Sequence, residues 1–328
     1  MAVQLPHLPD IERLSDRVIR ILGGNPGKVL FHTFLLPSGD LHSKASPTAP
    51  RSPSLFSNID KLLGTNTYLI GQGHERLLID TGEGCPVWSE NLKSTLENEN
   101  ATIKTTLLTH WHPDHIRGVP DLLQVCPNVE IYKNQPDLDG QLSIEDGQVF
   151  KVEGATLRAY STPGHTKDHM VFVLDEENAM FTGDNVLGHG TSVFEDLQVY
   201  LSTLEKMQYC FSGRAYPGHG DVIPDGKAKI TDYIQHRQQR EDEVLQVLKY
   251  GALLSRIDGQ PSPSPVKREE LRNWTVMELV KIIYHDVPAN LHVPASHGVS
   301  QVLKKLEGEG KVMRVASDGV EERFMVVL

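Results

Sequence analysis

The sequence predicts an α/β sandwich followed by a small helix-and-wing module. Three observations predict it. Strand-like and helix-like segments alternate in two similar halves between about residues 64 and 250. The residues best suited to hold a metal stand at predicted strand ends, where a loop begins. A Pro- and Ser-rich stretch then breaks the pattern, before two amphipathic helices and an alternating tail.

In chain order, residues 15–23 (SDRVIRILG) read as a short strand entering the turn GGNPG. Residues 28–63 carry Pro37, Pro47, Pro50 and Pro53 among many serines, with no sustained period of two or 3.6. They read as an irregular insert, a surface loop or disordered, of a length uncommon inside a compact domain. NTYLIG and ERLLIDTG form a hairpin across Gln72-Gly73-His74. Residues 86–99 suit a helix, and IKTTLLTH is a strand running into a histidine cluster. A helix near 115–126, a strand at VEIYK and strands within GQVFKVEGATLRAYSTPGH come next. MVFVLDEENAMFTGD is a second hairpin, turning at Glu176-Glu177-Asn178, and helices cover 194–210 and 225–250.

Residues 255–272 contain three prolines and three serines and read as a linker. WTVMELVKIIYHD and SHGVSQVLKKLEGEGKV are amphipathic helices, the second ending at a Gly-rich stop. VMRVASDGVEERFMVVL alternates like a hairpin turned at Asp318-Gly319. The expected organisation is a large domain over 1–254, a linker over 255–272 and a winged-helix-like module over 273–328.

Composition narrows the class. At 328 residues with 39% apolar content, the chain can fill one large core and a smaller one. No apolar run approaches the roughly 18 residues of a membrane span. The N-terminus mixes acids with basics and lacks an apolar core, so a cytoplasmic location is expected. Cys85, Cys126 and Cys210 are odd in number and far apart, and read as buried or idle thiols. A net charge of −11 is a poor general match for a polyanion.

The densest signal is THWHPDH, residues 109–115, directly after an apolar strand. His110 and His112 are two apart and can aim at one ion, while Asp114 and His115 can turn toward a second. Zinc accepts both imidazole nitrogen and carboxylate oxygen. STPGHT places His165 after a strand, FTGDN places Asp184 at a strand end, and AYPGHG places His219 in a second Pro-Gly-His turn. A carboxylate such as Asp184 can bridge two cations through its two oxygens. The expected assignment is two Zn2+ ions. His110, His112 and His165 hold the first, Asp114, His115 and His219 the second, and Asp184 stands between.

This ordered set, H-x-H-x-D-H followed by G-H, G-D and P-G-H, resembles the metallo-β-lactamase superfamily across about residues 12–250. The resemblance implies a four-layer αβ/βα sandwich with a dinuclear zinc site, and hydrolysis by a metal-activated hydroxide. It implies that Asp80, in LLIDTG, stands behind the ligands, and that Asp114 gives or takes the proton of the attacking water. GNPG, GTNTYLIG, STPGHTKDHM, GDNVLGHGT and VFEDLQVYLSTL are similar to one subgroup, as is the helix–wing tail. That subgroup holds fungal thioesterases releasing polyketides from a partner synthase's carrier protein, and the lactamase-like endoribonuclease of animals. Residues 28–63 depart from it, because GNPG there leads to GTNTY after only a few residues; they are either a real loop or an artefact of the gene model.

A thiol, with a pKa near 8.5, leaves as thiolate with little protonation, so such a site suits a thioester. The leading expectation is a polyketide thioesterase whose partner is an acyl carrier protein met through a local basic patch. Alternatives are an endoribonuclease and a glyoxalase-like hydrolase. The tail, with six Lys/Arg against seven Asp/Glu over 274–328, shows no basic stripe and reads as a cap or contact surface rather than a nucleic-acid reader. Asp168 and His169 are expected to line the substrate mouth, orient His165 or simply pack. His189, Asn66 and Tyr68 are weaker candidates.

Overall fold

Seven strands run in chain order across one sheet: β1 (Ile11–Arg13), β2 (Val18–Leu22), β3 (Asn66–Ile70), β4 (Glu75–Ile79), β5 (Thr102–Leu108), β6 (Glu130–Lys133) and β7 (Gln141–Ser143). The computed structural model describes residues 8–24, 64–253, 272–315 and 322–327. β1 to β4 pair antiparallel and β4 to β7 pair parallel. The change of mode has a local cause. The β3–β4 turn is short, whereas α1 (Pro86–Asn98) carries the chain back between β4 and β5. Pro86 opens α1, where a missing N–H leaves no bond unmade. Trp88, Leu92 and Leu96 then bury one stripe, packing on Ile21, Leu69, Leu78 and Leu108 of the sheet.

A second sheet has the order β12-β11-β10-β9-β8, from β8 (Val149–Val152), β9 (Ala155–Ser161), β10 (Met170–Leu174), β11 (Ala179–Gly183) and β12 (Ala215–Pro217). All of its pairs are antiparallel except β11 with β12. The core lies between the two sheets. Val18, Tyr68, Ile70, Leu77, Ile79 and Leu107 of the first meet Leu157, Phe172, Leu174, Phe181 and Tyr216 of the second. Val171, Val173 and Met180 alternate with the inward residues and are buried too, so both faces of this sheet are covered. That is why MVFVL reads as a near-continuous apolar run.

The chain divides into two compact units, Met1–Val193 with Lys206–Lys229, and Phe194–Glu205 with Ile230–Leu328. Of the three crossings between them, two fall within helices α4 (Leu197–Met207) and α5 (Gly226–Tyr250). In the second unit β13 (Trp274–Thr275), α6 (Val276–Ile283), α7 (His292–Gly308), β14 (Val312–Val315) and β15 (Arg323–Val326) build the helix–wing piece. Thr275 caps α6 reciprocally with Glu278, satisfying two otherwise orphaned backbone donors. Leu279, Val280 and Ile283 of α6, and Val299, Val302, Leu303 and Leu306 of α7, are buried. β15 lies centrally between β13 and β14.

The structure differs from the sequence reading at several places. Trp274 and Thr275, read as the start of a helix, form β13, and β1 lies ahead of the first expected strand. The single helix expected near 115–126 is two, α2 (Pro113–Ile116) and α3 (Val119–Val125). Pro120 cannot donate and crowds the preceding turn, and a Cβ on Gly118 would lie 2.0 Å from the Thr81 carbonyl oxygen. β7 is an addition to the expected strands, because its exposed side chains carry no apolar alternation. α4 is shorter than 194–210. α7 starts four residues before Ser296, since Pro294 sits in its first turn, where proline is tolerated. The insert 28–63, the linker up to residue 271 and the Asp318-Gly319 turn lie outside the described residues. Among the described residues no helix is long and apolar enough to cross a membrane.

Candidate metal centre

The candidate ligands come from four strand ends on one edge of the sandwich. β5 leads into His110 and His112, and α2, immediately after, carries Asp114 and His115. β9 leads into the turn bearing His165, β11 ends one residue before Asp184, and β12 ends two before His219. Because β11 and β12 are parallel, their C-terminal ends fall together, so Asp184 and His219 emerge side by side. Gly218 permits this approach: a Cβ there would lie 2.4 Å from Asp184 Oδ1.

Two clusters result. His110, His112, His165 and Asp184 form one group able to hold an ion, and Asp114, His115 and His219 form the other. In each, the donor atoms lie within 4.8 Å of one another. His112 Nδ1 sits 2.9 Å from His110 Nε2 and 3.1 Å from His165 Nε2. Asp184 faces both groups, with Oδ1 3.4 Å from His115 Nε2 and Oδ2 3.7 Å from His165 Nε2 and 3.4 Å from His219 Nε2. Asp114 Oδ2 is 3.2 Å from His219 Nε2. All seven predicted residues are thus brought together.

The residues behind them set which nitrogen is free. The Val193 carbonyl can only accept, so His165 donates through Nδ1 at 2.7 Å and leaves Nε2 facing the cluster. Asp80 Oδ2 accepts from His115 Nδ1 at 2.7 Å, again leaving Nε2 free. Asp80 also accepts from the backbone N–H of Thr109 at 2.8 Å and from its hydroxyl. It holds this position at φ +58°, and its own N–H donates to Leu107. Thr65 donates to Asp114 Oδ2 at 3.1 Å.

Electrostatics divides the groups. Burial pushes His110 well below the ordinary imidazole range, and burial with the nearby His165 pushes His112 down to about 4. Both are neutral, as ligation requires. Burial opposes charge on Asp184, but His219 and His115 hold it well below the usual carboxylate range; Asp114 is held low in the same way. Burial also works against protonating His219, yet Asp184 and Asp114 lift it to about 10.

Whether a metal fits is answered by what the cluster leaves unpaired. His115 Nε2, Asp184 Oδ1 and both ring nitrogens of His219 are buried without a hydrogen-bond partner. Buried polar atoms are rarely left so, and one cation satisfies several at once. Neutral imidazoles and ionised carboxylates are the donor set that zinc takes. The residues fit a metal.

The weaker candidates resolve differently. Tyr68 and Asn66 do not face the cleft: both are buried and hold the His219 turn. Tyr68 donates to the Pro217 carbonyl, and the Asn66 amide to those of Pro217 and Gly220. His169 and Asp168 are buried and so do not line a mouth. His169 Nε2 accepts the Asp184 backbone N–H at 3.1 Å, and Asp168 pairs with Lys133. His189 is half-buried beside the His219 turn, where the next-door Gly188 N–H donates to the His219 carbonyl. Thr65 and Thr109, which touch candidate ligands, and Lys133, which pairs with Asp168, are not singled out by the sequence reading. The two threonines sit inside the motifs GTNTYLIG and THWHPDH, a signal available from adjacency; Lys133 has none.

An αβ sandwich with a dense His/Asp cluster at its strand ends defines the class as a metal-dependent hydrolase. Comparison with known proteins agrees. The metallo-β-lactamase superfamily model matches residues 60–136 and 133–219, and that of the β-lactamase-associated winged-helix domain matches 275–320. The chain is 42% identical to a lactamase-like protein, ptaB, of Pestalotiopsis fici, covering 99% of this chain and 90% of that one. It is also 42% identical to an atrochrysone carboxyl ACP thioesterase of Aspergillus chevalieri, covering 98% and 91%. A β-lactamase domain protein from Burkholderia ambifaria shares the fold, with TM-score 0.71 and 14% identity over 99% of this chain and 96% of that one. The chain belongs to the metallo-β-lactamase superfamily and carries the winged-helix domain associated with it.

Proposed function

We propose that this protein is a zinc-dependent thioesterase that hydrolyses the thioester joining a polyketide to the acyl carrier protein of a partner polyketide synthase. The observation that carries the hydrolase half is the convergence of seven His and Asp side chains, five of them buried, on one edge of the sandwich. The thioester half rests on full-length similarity to the Aspergillus chevalieri thioesterase. It is consistent with a leaving thiolate, which departs with little protonation at neutral pH.

On this reading His110, His112 and His165 would hold one zinc ion and Asp114, His115 and His219 a second, with Asp184 available to either group. Bound zinc supplies Lewis acidity toward the acyl carbonyl and lowers the pKa of water. The chain's own residues do the rest. Asp114, kept ionised beside His115 and His219 and oriented by the Thr65 hydroxyl, is the carboxylate available to take and return a proton. The pair Asp80 and Thr109 keeps His115 in one tautomer. By the sequence division the hydrolase domain covers 1–254 and the module 273–328, a contact surface on this reading, although residues 194–205 and 230–250 group in the structure with the module's compact unit. We assign the reaction to the cytoplasm.

The test is incubation of the zinc-loaded protein with an acyl-loaded synthase, following release of the acid. Release well above background is expected, falling roughly 10²–10⁴-fold in Asp114→Asn. No release above background with zinc present rejects the thioesterase, and metal-dependent cleavage of single-stranded RNA in its place assigns the protein to the nucleases.

A further inference from the structure

Lys133 is the last residue of β6, in register with Leu108 and hence at the sheet edge from which His110 emerges. Its side chain is turned inward. Nζ lies 2.8 Å from Asp168 Oδ2, and the two side chains are only 3% and 5% exposed. Nζ donates to the Gln135 carbonyl at 3.0 Å and to that of Asn134 at 3.4 Å, and the half-exposed Asp137 carboxylate lies 3.6 Å away. Asp168 belongs to the other sheet. It stands two residues before β10, in the turn that presents His165. Its Oδ1 accepts from the Thr166 hydroxyl at 2.8 Å, and Thr166 follows His165 directly. The turn is closed further by the Thr166 carbonyl, which accepts from Gly164, and by Thr162 donating to the His169 carbonyl.

A buried ion pair of this kind is a weak source of stability, because desolvating both charges consumes most of their attraction. An apolar pair would fill the same space. What the ion pair adds is a tie: parting two buried charges leaves each uncompensated, whereas two aliphatic groups can slide. Here that contact runs from β6 of the first sheet to the His165 turn of the second. It crosses the gap over which His165 must reach His110 and His112.

We propose that Lys133 and Asp168 are positioning residues: their ion pair fixes the His165 turn against the His110–His112 segment and thereby sets the metal affinity of that three-histidine group. The inference rests on those histidines being metal ligands and is independent of the substrate. It assigns roles to two side chains, one of which, Lys133, has no neighbour in sequence among the ligands.

The experiment is titration of the metal-free full-length protein with Zn2+ in competition with a chromophoric chelator, alongside the thermal midpoint of the same metal-free samples. Lys133→Met and Asp168→Asn are each expected to weaken one zinc-binding step by about 10- to 100-fold, the range seen when groups behind a metal ligand are removed. His165→Ala is expected to abolish the same step. The double variant is expected to bind no more weakly than the weaker single, because both changes break one contact. Parent-like zinc affinity in both single variants, with only the midpoint lowered, overturns the proposal and leaves the pair a matter of folding alone. Should Lys133→Met not fold, Asp168→Asn decides, since it keeps the side chain's shape while removing its charge and one acceptor. A parent chain that binds no zinc overturns the ligand reading itself, a result distinct from any difference between variants.

Discussion

At the residue scale the candidate centre is a set of tautomers fixed from behind. His165 and His115 each give Nδ1–H to an oxygen that can only accept, so their Nε2 atoms face the cluster whether or not a cation is bound. The carboxylates have the opposite task. Asp114 and Asp184 keep their charge against burial only because His115 and His219 stand beside them, and in return those imidazoles hold protons. A cation must displace those protons. The sign follows: His219, lifted to about 10, is protonated at neutral pH in the chain alone, so zinc binding releases protons and apparent affinity climbs as pH rises from 6 toward 9. Calorimetric titration in buffers of different ionisation enthalpy measures the number released. A count of zero at pH 7 would show that these imidazoles are already neutral.

At the scale of elements, the segment after β5 turns a strand edge into ligands for two groups. It ends after one turn of helix, because Gly118 packs against the Thr81 carbonyl and Pro120 forbids continuation. That contact fixes where α2 sits: Thr81 N–H donates to the His115 carbonyl at 2.8 Å, and Gly118 N–H to the Gly82 carbonyl at 3.1 Å. Gly118→Ala puts a methyl group 2.0 Å from a backbone oxygen, where no flexible side chain can yield. It is expected to destabilise the fold by about 1–3 kcal/mol, an overpacking cost, and to weaken zinc binding by moving His115. Chemical denaturation and zinc titration of the variant check both effects; parent-like values in both would show that the turn relaxes freely.

At the scale of the whole molecule, four loops converge and leave His115 Nε2, Asp184 Oδ1 and the His219 ring nitrogens buried among opposite charges but without a hydrogen bond. Anything that binds only the folded chain raises its stability by mass action, about 2.7 kcal/mol at a hundredfold excess over Kd. Stripping metal with a chelator is therefore expected to lower the melting midpoint, and restoring Zn2+ to raise it in a concentration-dependent way. A midpoint indifferent to metal would mean that the cluster does not hold zinc. The core between the sheets, from Tyr68 and Leu107 to Phe172 and Phe181, supplies the rigid frame on which those loops stand.

Much of this architecture is legible in the amino-acid sequence, and unevenly so. The hairpins, α1, α5 and the helix–wing tail announce themselves through local periodicity and turn residues, which act over a few positions. The seven candidate ligands are legible for a different reason: zinc accepts few side-chain types, and this chain strings them along strand ends in four short motifs. β7 is not, because an exposed edge strand is defined by its partner β6 and not by its own pattern. Nor are the true places of Tyr68, Asn66 and His169, all held by groups distant in sequence. Lys133 shows the limit most plainly. Along the chain it is an ordinary lysine at the end of a strand, and only the packing of two sheets brings Asp168 to it. The sequence by itself determined which atoms can meet a cation. Tertiary structure decided which buried partners aim them, because aiming depends on contacts between segments that share no local pattern.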